Sequence, residues 1–303
     1  MQHATPDILY FEIAPDNKPT LYVRPEEVFE VETQINRGPW LDSRPDREAL
    51  ELKLRGANPV SGCIHVEGAK PGQALVVHIG EFELGPVGFT RYLENNSALP
   101  RWLGSSGLEG QQKVVEIKDG NILWNTYLKI PAAPMLGVVG VAVENSRWAT
   151  VWAGPWGGNM DIQEITTGAS VWLPIAVSGA LLHIGDMHAL QGDGEICGAG
   201  GIETGGKVKV RCELAPRPKN MTWPRIVNKT HIITAAQARP AEDAFRFALL
   251  ELVLWLEEEY GMSRGEAYLL LGQVLEARCT QFVNPTYTYV CKVSRKYLPA
   301  PLR

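Results

Sequence analysis

The stretch Gly185-Asp186-Met187-His188-Ala189-Leu190-Gln191-Gly192-Asp193-Gly194-Glu195 carries the densest set of groups able to do chemistry. On an extended strand Asp186 and His188, two apart, share a face, and Asp193 and Glu195 do the same. The intervening 189–192 reads as a four-residue hairpin loop, a register that sets His188 opposite Asp193 and Asp186 opposite Glu195. Three carboxylates and one imidazole on a single sheet face repel one another, and burial makes the conflict worse. A bound divalent cation removes it, since Asp, Glu and His are ordinary ligands of zinc and similar ions. A raised carboxyl pKa also removes it, and suits a general acid or base. A hairpin tip in water would carry the same charges at little cost, so spacing alone leaves both descriptions standing.

Other segments offer less. Gly154-Pro155-Trp156-Gly157-Gly158-Asn159-Met160-Asp161 is a glycine-rich loop that lets backbone approach a ligand, and Asp161 could add a carboxylate to the group above. A plain tight turn explains it equally well. Cys63, His65 and Glu67 alternate on one predicted strand face, with His65 reading as a surface histidine. The match Gly261-Met262-Ser263-Arg264-Gly265 to a nucleophile elbow falls between two predicted helices, where Ser263 is better read as a helix cap. The run 201–207 approaches a phosphate loop, but Val208 stands where Ser or Thr is needed. Nine tryptophans read first as packing residues and second as a sugar-stacking surface.

The elements that must position these groups follow from composition. The chain has 303 residues, 45% hydrophobic and 21% charged, enough apolar material for a substantial core. A net charge of −5 gives no electrostatic footprint for nucleic acid. The most apolar window, 169–185, is interrupted by Pro174, Ser178 and Gly179 and is too short to span a bilayer. Five cysteines without a CxxC pair argue against a disulfide scaffold and point to the cytoplasm. Thirty glycines and twenty-one prolines fall mostly before residue 230, between short runs rich in Val, Ile and Thr such as 74–79, 112–118, 137–143 and 206–214. This pattern predicts a mainly β fold with a β-sandwich or barrel-like body. After Pro240, Phe245, Leu249, Leu252, Val253 and Leu256 follow helical spacing, with Gly261 past the end. Ser263-Arg264-Gly265-Glu266 opens a second helix to about Ala277, and 286–293 returns to strand. The expectation is α+β overall: a body over 1–232, then a helix–helix–strand segment over 233–303.

The motif GDxHAxQGDGE at 185–195, with Gly157-Gly158-Asn159-Met160-Asp161 and Leu173-Pro174-Ile175-Ala176-Val177 before it, closely resembles the acetamidase/formamidase family. Val66-Glu67-Gly68-Ala69, Cys197-Gly198 with Ile202-Glu203, Gly261 to Tyr268, and Arg278-Cys279-Thr280-Gln281 agree with it, so the resemblance runs from about residue 20 to 298. It departs in two places: no acid follows Glu32-Thr33, where Gln34-Ile35-Asn36 stands, and the run 197–203 is one residue longer than usual. The resemblance implies hydrolysis of a small linear amide to a carboxylate and ammonia. It also implies a divalent metal, zinc first and calcium second, and a homo-oligomer. Carried onto this sequence, Asp161, Asp186, His188 and Asp193 are the candidate metal ligands, with Asp193 alternatively orienting His188. Glu195 is the candidate general acid/base with Glu67 as second choice, and Asn159 and Gln191 are candidates for holding the amide. Two rivals remain from the residues: a Cys197 nucleophile, and a small-ligand or carbohydrate-binding protein without turnover.

Overall fold

In a computed structural model, residues 1–93, 96–108 and 110–301 are described. Among them all but two short strands join one continuous, strongly curled sheet system. The elements that frame the site are β1 (Val28–Thr33), β2 (Val60–Val66), β3 (Gln73–Tyr92), β4 (Met135–Val141), β5 (Gly157–Asn159), β6 (Ser170–Pro174), β7 (Leu182–Gln191), β8 (Ala199–Pro216), β9 (Arg225–Val227) and β10 (His231–Ala238). They are followed by α1 (Ala241–Tyr260), α2 (Arg264–Val274), β11 (Glu276–Gln281) and β12 (Tyr287–Ser294). The protein is thus mainly β with few helices, α+β overall, as its punctuation by Gly and Pro predicts.

Local sequence explains the two kinds of strand. In β8, Val208, Val210 and Cys212 are buried while Lys207, Lys209 and Arg211 face outward, the period-two pattern of a half-covered sheet. By contrast β4, Met135-Leu136-Gly137-Val138-Val139-Gly140-Val141, is buried at every position. Each fully buried Leu or Val there contributes roughly 1.5–3 kcal/mol relative to exposure. Strand β7 is held on several edges. It pairs antiparallel with β4 (Met135 opposite His188, Val141 opposite Leu182), with β2 (Val60 opposite Gly185) and with β8 (Met187 opposite Thr204). Register shifts along β8 against β3 mark bulges, which bend a strand enough for it to serve two neighbours.

Past residue 240 the predicted elements form, with one addition. Helix α1 buries Ala248, Leu252, Val253, Trp255 and Leu256 against β10 and β12, with Phe245 and Leu249 partly buried beside them. It ends at Gly261 in the left-handed region. The Ser263 hydroxyl accepts from the Glu266 amide 3.2 Å away and caps α2. That helix stops at Val274, earlier than the expected Ala277, because Leu275 turns to extended backbone and Cys279, Thr280 and Gln281 enter the sheet as β11. The segment is therefore helix–helix–strand–strand, and the extra strand reaches the site. No helix among the described residues is long and apolar enough to cross a membrane.

Candidate active site

Strand β7 delivers Asp186 and His188, but the hairpin expected from the sequence is not the one that forms. The strand continues through Ala189 and Leu190 to Gln191, and the turn comes later, over 192–198. With β8 beginning at Ala199, His188 lies opposite Glu203 and Gln191 opposite Gly201. The expected pairings, His188 with Asp193 and Asp186 with Glu195, are replaced for a packing reason. Ala189 and Gln191 are buried and cannot serve as loop, whereas Gly192 and Asp193 are exposed.

One buried pocket of chemistry results. Asp161, Asp186 and His188 each offer a ligand atom within 4.8 Å of the others, close enough to share one ion. His188 Nε2 is 3.6 Å from Asp186 Oδ1 and 3.5 Å from Glu203 Oε1. Glu195, within the 192–198 turn, brings its carboxyl near Asp161. Asn159, at the end of β5, is buried beside the same loop. Close approach requires glycine at two neighbouring positions. A Cβ on Gly137, on β4 beside β7, would stand 2.5 Å from Asp186 Oδ2 and 2.6 Å from Asp161 Oδ1. One on Gly201 would lie 2.5 Å from His188 Nδ1.

The backbone is forced into place as well. Asp161, Asp186 and Glu195 have φ of 49°, 54° and 41°, three of the nine non-glycine residues at positive φ among those described. Residues so held cost on the order of 1–3 kcal/mol each and persist only where surroundings determine them. Those surroundings are visible. The Asn284 amide donates to Asp161 Oδ2 at 2.5 Å, and Asn58 donates to Asp186 Oδ2 at 2.9 Å. Asn58 is itself held by Asn36, whose Nδ2 donates to Asn58 Oδ1 at 2.9 Å. Thus the segment after Glu32-Thr33, which lacks an acid, still reaches the site through two amides.

Gln191 has a different task from the one its type suggested. Its Nε2 donates to the carbonyls of Asp161 and Thr280, at 3.0 and 3.1 Å, which fixes its amide orientation. Its Oε1 must then face His188 Nδ1, 3.0 Å away, so Nδ1 carries a hydrogen and Nε2 is the nitrogen left to face Asp186 and Glu203. With both amide hydrogens committed to carbonyls, Gln191 turns its Oε1 to the histidine. Asp193 is also displaced: its side chain is 69% exposed and lies 2.8 Å from Arg278 Nε, outside the cluster. Glu67 is exposed beyond the Val66 end of β2, which pairs with the Leu182 end of β7, remote from His188. Glu203 is the residue that sequence reasoning left without a role. Only its place opposite His188, a property of strand register, reveals it.

The electrostatics follow from this crowding. Burial first, then the Asp186 carboxylate, raises Asp161 to about 6. Burial and then Glu203 raise Asp186 to about 6. Glu195 is pushed well above its ordinary value by burial and by Asp161. For His188, desolvation opposes protonation, but Glu203 and Asp186 together outweigh it and lift the imidazole well above its usual range. Cys197 is half-buried, and burial pushes its thiol up, the reverse of what a nucleophilic thiolate needs. Several tryptophans are spent on packing: Trp148 stacks on Trp156 at 4.5 Å, and the Trp40 indole donates to the Asn36 carbonyl.

The acetamidase/formamidase family model matches residues 132–293, more than half of the chain and most of the site. A formamidase of Methylophilus methylotrophus is 27% identical over 258 residues, covering 66% of this chain and 62% of its own length. The chain spans less than two thirds of the length of the curated relatives it matches. Among solved structures, an acetamidase of Bacillus halodurans superposes with a TM-score of 0.86 at 28% identity, covering 97% of this chain and 98% of that one. A predicted acetamidase/formamidase of Thermoanaerobacter tengcongensis gives 0.87 at 31% identity, covering 98% and 96%. With the family model spanning the loop at 154–161, the 185–195 motif, Glu203 and the Arg278–Asn284 segment alike, the chain belongs to the acetamidase/formamidase family.

Proposed function

We propose that the protein hydrolyses the C–N bond of a small linear amide, of the acetamide or formamide kind, to a carboxylate and ammonia with the help of a divalent metal. The observation that carries this reading is a set of buried polar atoms left without partners in one place: Asp161 Oδ1, Asp186 Oδ1, His188 Nε2, Glu195 Oε2 and Asn159 Oδ1. Leaving such atoms unpaired costs about 1–3 kcal/mol each. The first three fit an ion in type, spacing and tautomer, and Glu203 is near enough to His188 Nε2 to join them. An ion there, with zinc the expected one, would supply Lewis acidity to the amide carbonyl and the attacking water.

The chain's own residues supply the rest. Asn159 Oδ1 accepts a hydrogen from the substrate NH₂ and orients it. Glu195 receives the proton of the attacking water and hands it to the departing nitrogen, since ammonia leaves readily only once protonated. A carboxyl raised by burial holds that proton at a pH where an exposed one would have lost it. Gln191 keeps His188 in one tautomer throughout. Enclosure of all these groups favours a small substrate. Homo-oligomeric assembly, supported by the family resemblance, and a cytoplasmic location, supported by five free cysteines, belong to the same reading.

The test is ammonia release from formamide, acetamide, propionamide and urea, with protein as purified and after exhaustive chelation. We expect turnover of at least one amide, lost on chelation and restored by one metal. Activity that survives chelation would remove the metal from the mechanism. No ammonia from any amide would remove the reading itself. The Cys197→Ser variant should retain full activity.

A further inference from the structure

The stretch Arg278–Asn284, the end of β11 and the turn after it, touches the site repeatedly. Asn284 donates to Asp161, and the Thr280 carbonyl accepts from Gln191. The Phe282 amide donates to the Gly194 carbonyl at 2.9 Å. Arg278 grips hardest. Its two terminal nitrogens donate to both carboxylate oxygens of Glu164, at 2.9 and 2.6 Å, and Nη2 also donates to Gln163 Oε1 at 3.0 Å. Its Nε stands 2.8 Å from Asp193 Oδ1. Gln163 Nε2 donates to the same Asp193 oxygen at 3.2 Å, closing a ring of three side chains. Lys292 adds a second cation to Glu164 at 3.0 Å. Only a planar guanidinium can serve these partners together; an ammonium has no fork.

The ends of this clamp matter because of what lies next to them. Asp193 is two residues before Glu195, and Gln163 is two residues after Asp161. Both of those carboxylates sit at positive φ and need outside restraint to stay there. An exposed ion pair alone holds little, but Arg278 is half-buried and fixed by its hydrogen bonds to Glu164 and Gln163, so its charge stands in one place beside Asp193, which Gln163 also holds by a hydrogen bond.

We propose that Arg278 is a positioning residue: by tying Asp193 to Gln163 and Glu164, its guanidinium holds the 192–195 turn so that Glu195 stays beside Asp161. Its catalytic consequence rests on the amide-hydrolase reading; its structural consequence does not. The experiment measures amide hydrogen exchange by mass spectrometry on a peptide covering 192–198, together with kcat, KM and metal content. The variants are Arg278→Gln, Arg278→Lys and Asp193→Asn. In Arg278→Gln and Asp193→Asn we expect exchange in that peptide at least tenfold faster with α1 and α2 unchanged. The kcat of Arg278→Gln should fall tenfold or more at unchanged KM and metal content, with part of it recovered in Arg278→Lys. Unchanged exchange at 192–198, faster exchange spread equally through α1, or unaltered kcat would each overturn the proposal. Asp193 is exposed, so Asp193→Asn keeps the test alive if Arg278→Gln does not fold. Wild-type protein that releases no ammonia, with exchange still accelerated in the variants, would uphold the clamp and sink the amide-hydrolase reading instead.

Discussion

Two parts of this molecule bury charge, and they do so in opposite ways. Between β9 and α1, Arg225 and Glu251 are 1% and 2% exposed and pair at 2.8 Å. Glu251 also accepts from the amides of Thr222 and Trp223, and Arg225 lies over the Trp255 ring at 4.9 Å. There one charge answers another. At the site, Asp161, Asp186, Glu195 and Glu203 face a single imidazole, and the atoms that converge lack partners. Burial of ionisable groups is therefore not what distinguishes a working centre here. Imbalance of charge is: Arg225 and Glu251 offset each other within the folded chain, although Arg225 Nη1 and Nη2 make no hydrogen bond, whereas the site gathers more carboxylates than its one imidazole can offset.

The contrast can be broken most sharply at Glu195. Glu195→Gln keeps the shape, removes the transferable proton, and should lower kcat by about 10²–10⁴. Its metal content by elemental analysis should stay the same, and its stability should not fall, since one repelling carboxyl is gone. Loss of metal in this variant would place Glu195 among the ligands.

Removing charge from the balanced pair should do the reverse. Glu251→Gln leaves a buried guanidinium uncompensated and should cost about 3–5 kcal/mol in urea denaturation, with activity per folded molecule unchanged. A loss below about 1 kcal/mol would mean that Glu258 and Glu259, each 3.9 Å from Arg225, can take over.

A third buried group carries no charge at all. His183 donates from Nδ1 to the Leu181 carbonyl and accepts at Nε2 from Asn17, each at 2.8 Å. Desolvation lowers it from 6.5 to about 4 despite the carbonyl. The unfolded chain then binds this proton first as pH drops, so His183's contribution is complete above about pH 6.5 and lost as pH falls toward 4. The limit is roughly 3 kcal/mol. Stability measured against pH for wild type and His183→Asn should diverge in that window; parallel curves would contradict it. The smallest effect is expected from Gln191→Leu, which leaves His188 Nδ1–H without its acceptor. Metal affinity should fall about 10–100-fold, read by competition with a chelating dye, and unchanged affinity would deny Gln191 its orienting task.

How much of this was legible beforehand differs from residue to residue. Helix α1, its terminal Gly261 and the Ser263 cap depend on neighbours within a turn, so local pattern reveals them. The strands at 137–143 and 206–214 announce themselves by apolar run and by alternation. Asp186 and His188 stand out through their spacing, and Asp161 through its glycine loop. The pairing of His188 was misread because a four-residue loop and a seven-residue turn are both compatible with Gly192 and Gly194. Burial of Gln191 decides between them, and burial is a property of the whole fold. Asp193 illustrates the cost of that slip: within the motif it looks like a ligand, yet its carboxylate goes to Arg278, far along the chain.

By itself, then, the sequence determined the mainly β class, the family, and the residue types gathered at 159–161 and 186–195, because periodicity, turn chemistry and short motifs are local. Tertiary structure alone decided that Glu203 meets His188, that Asn36 and Asn58 support Asp186, and that Arg278 and Asn284 reach back to the site. These are contacts between segments many residues apart. They arise from strand register and from the curl of the sheet, which no window of neighbouring residues contains.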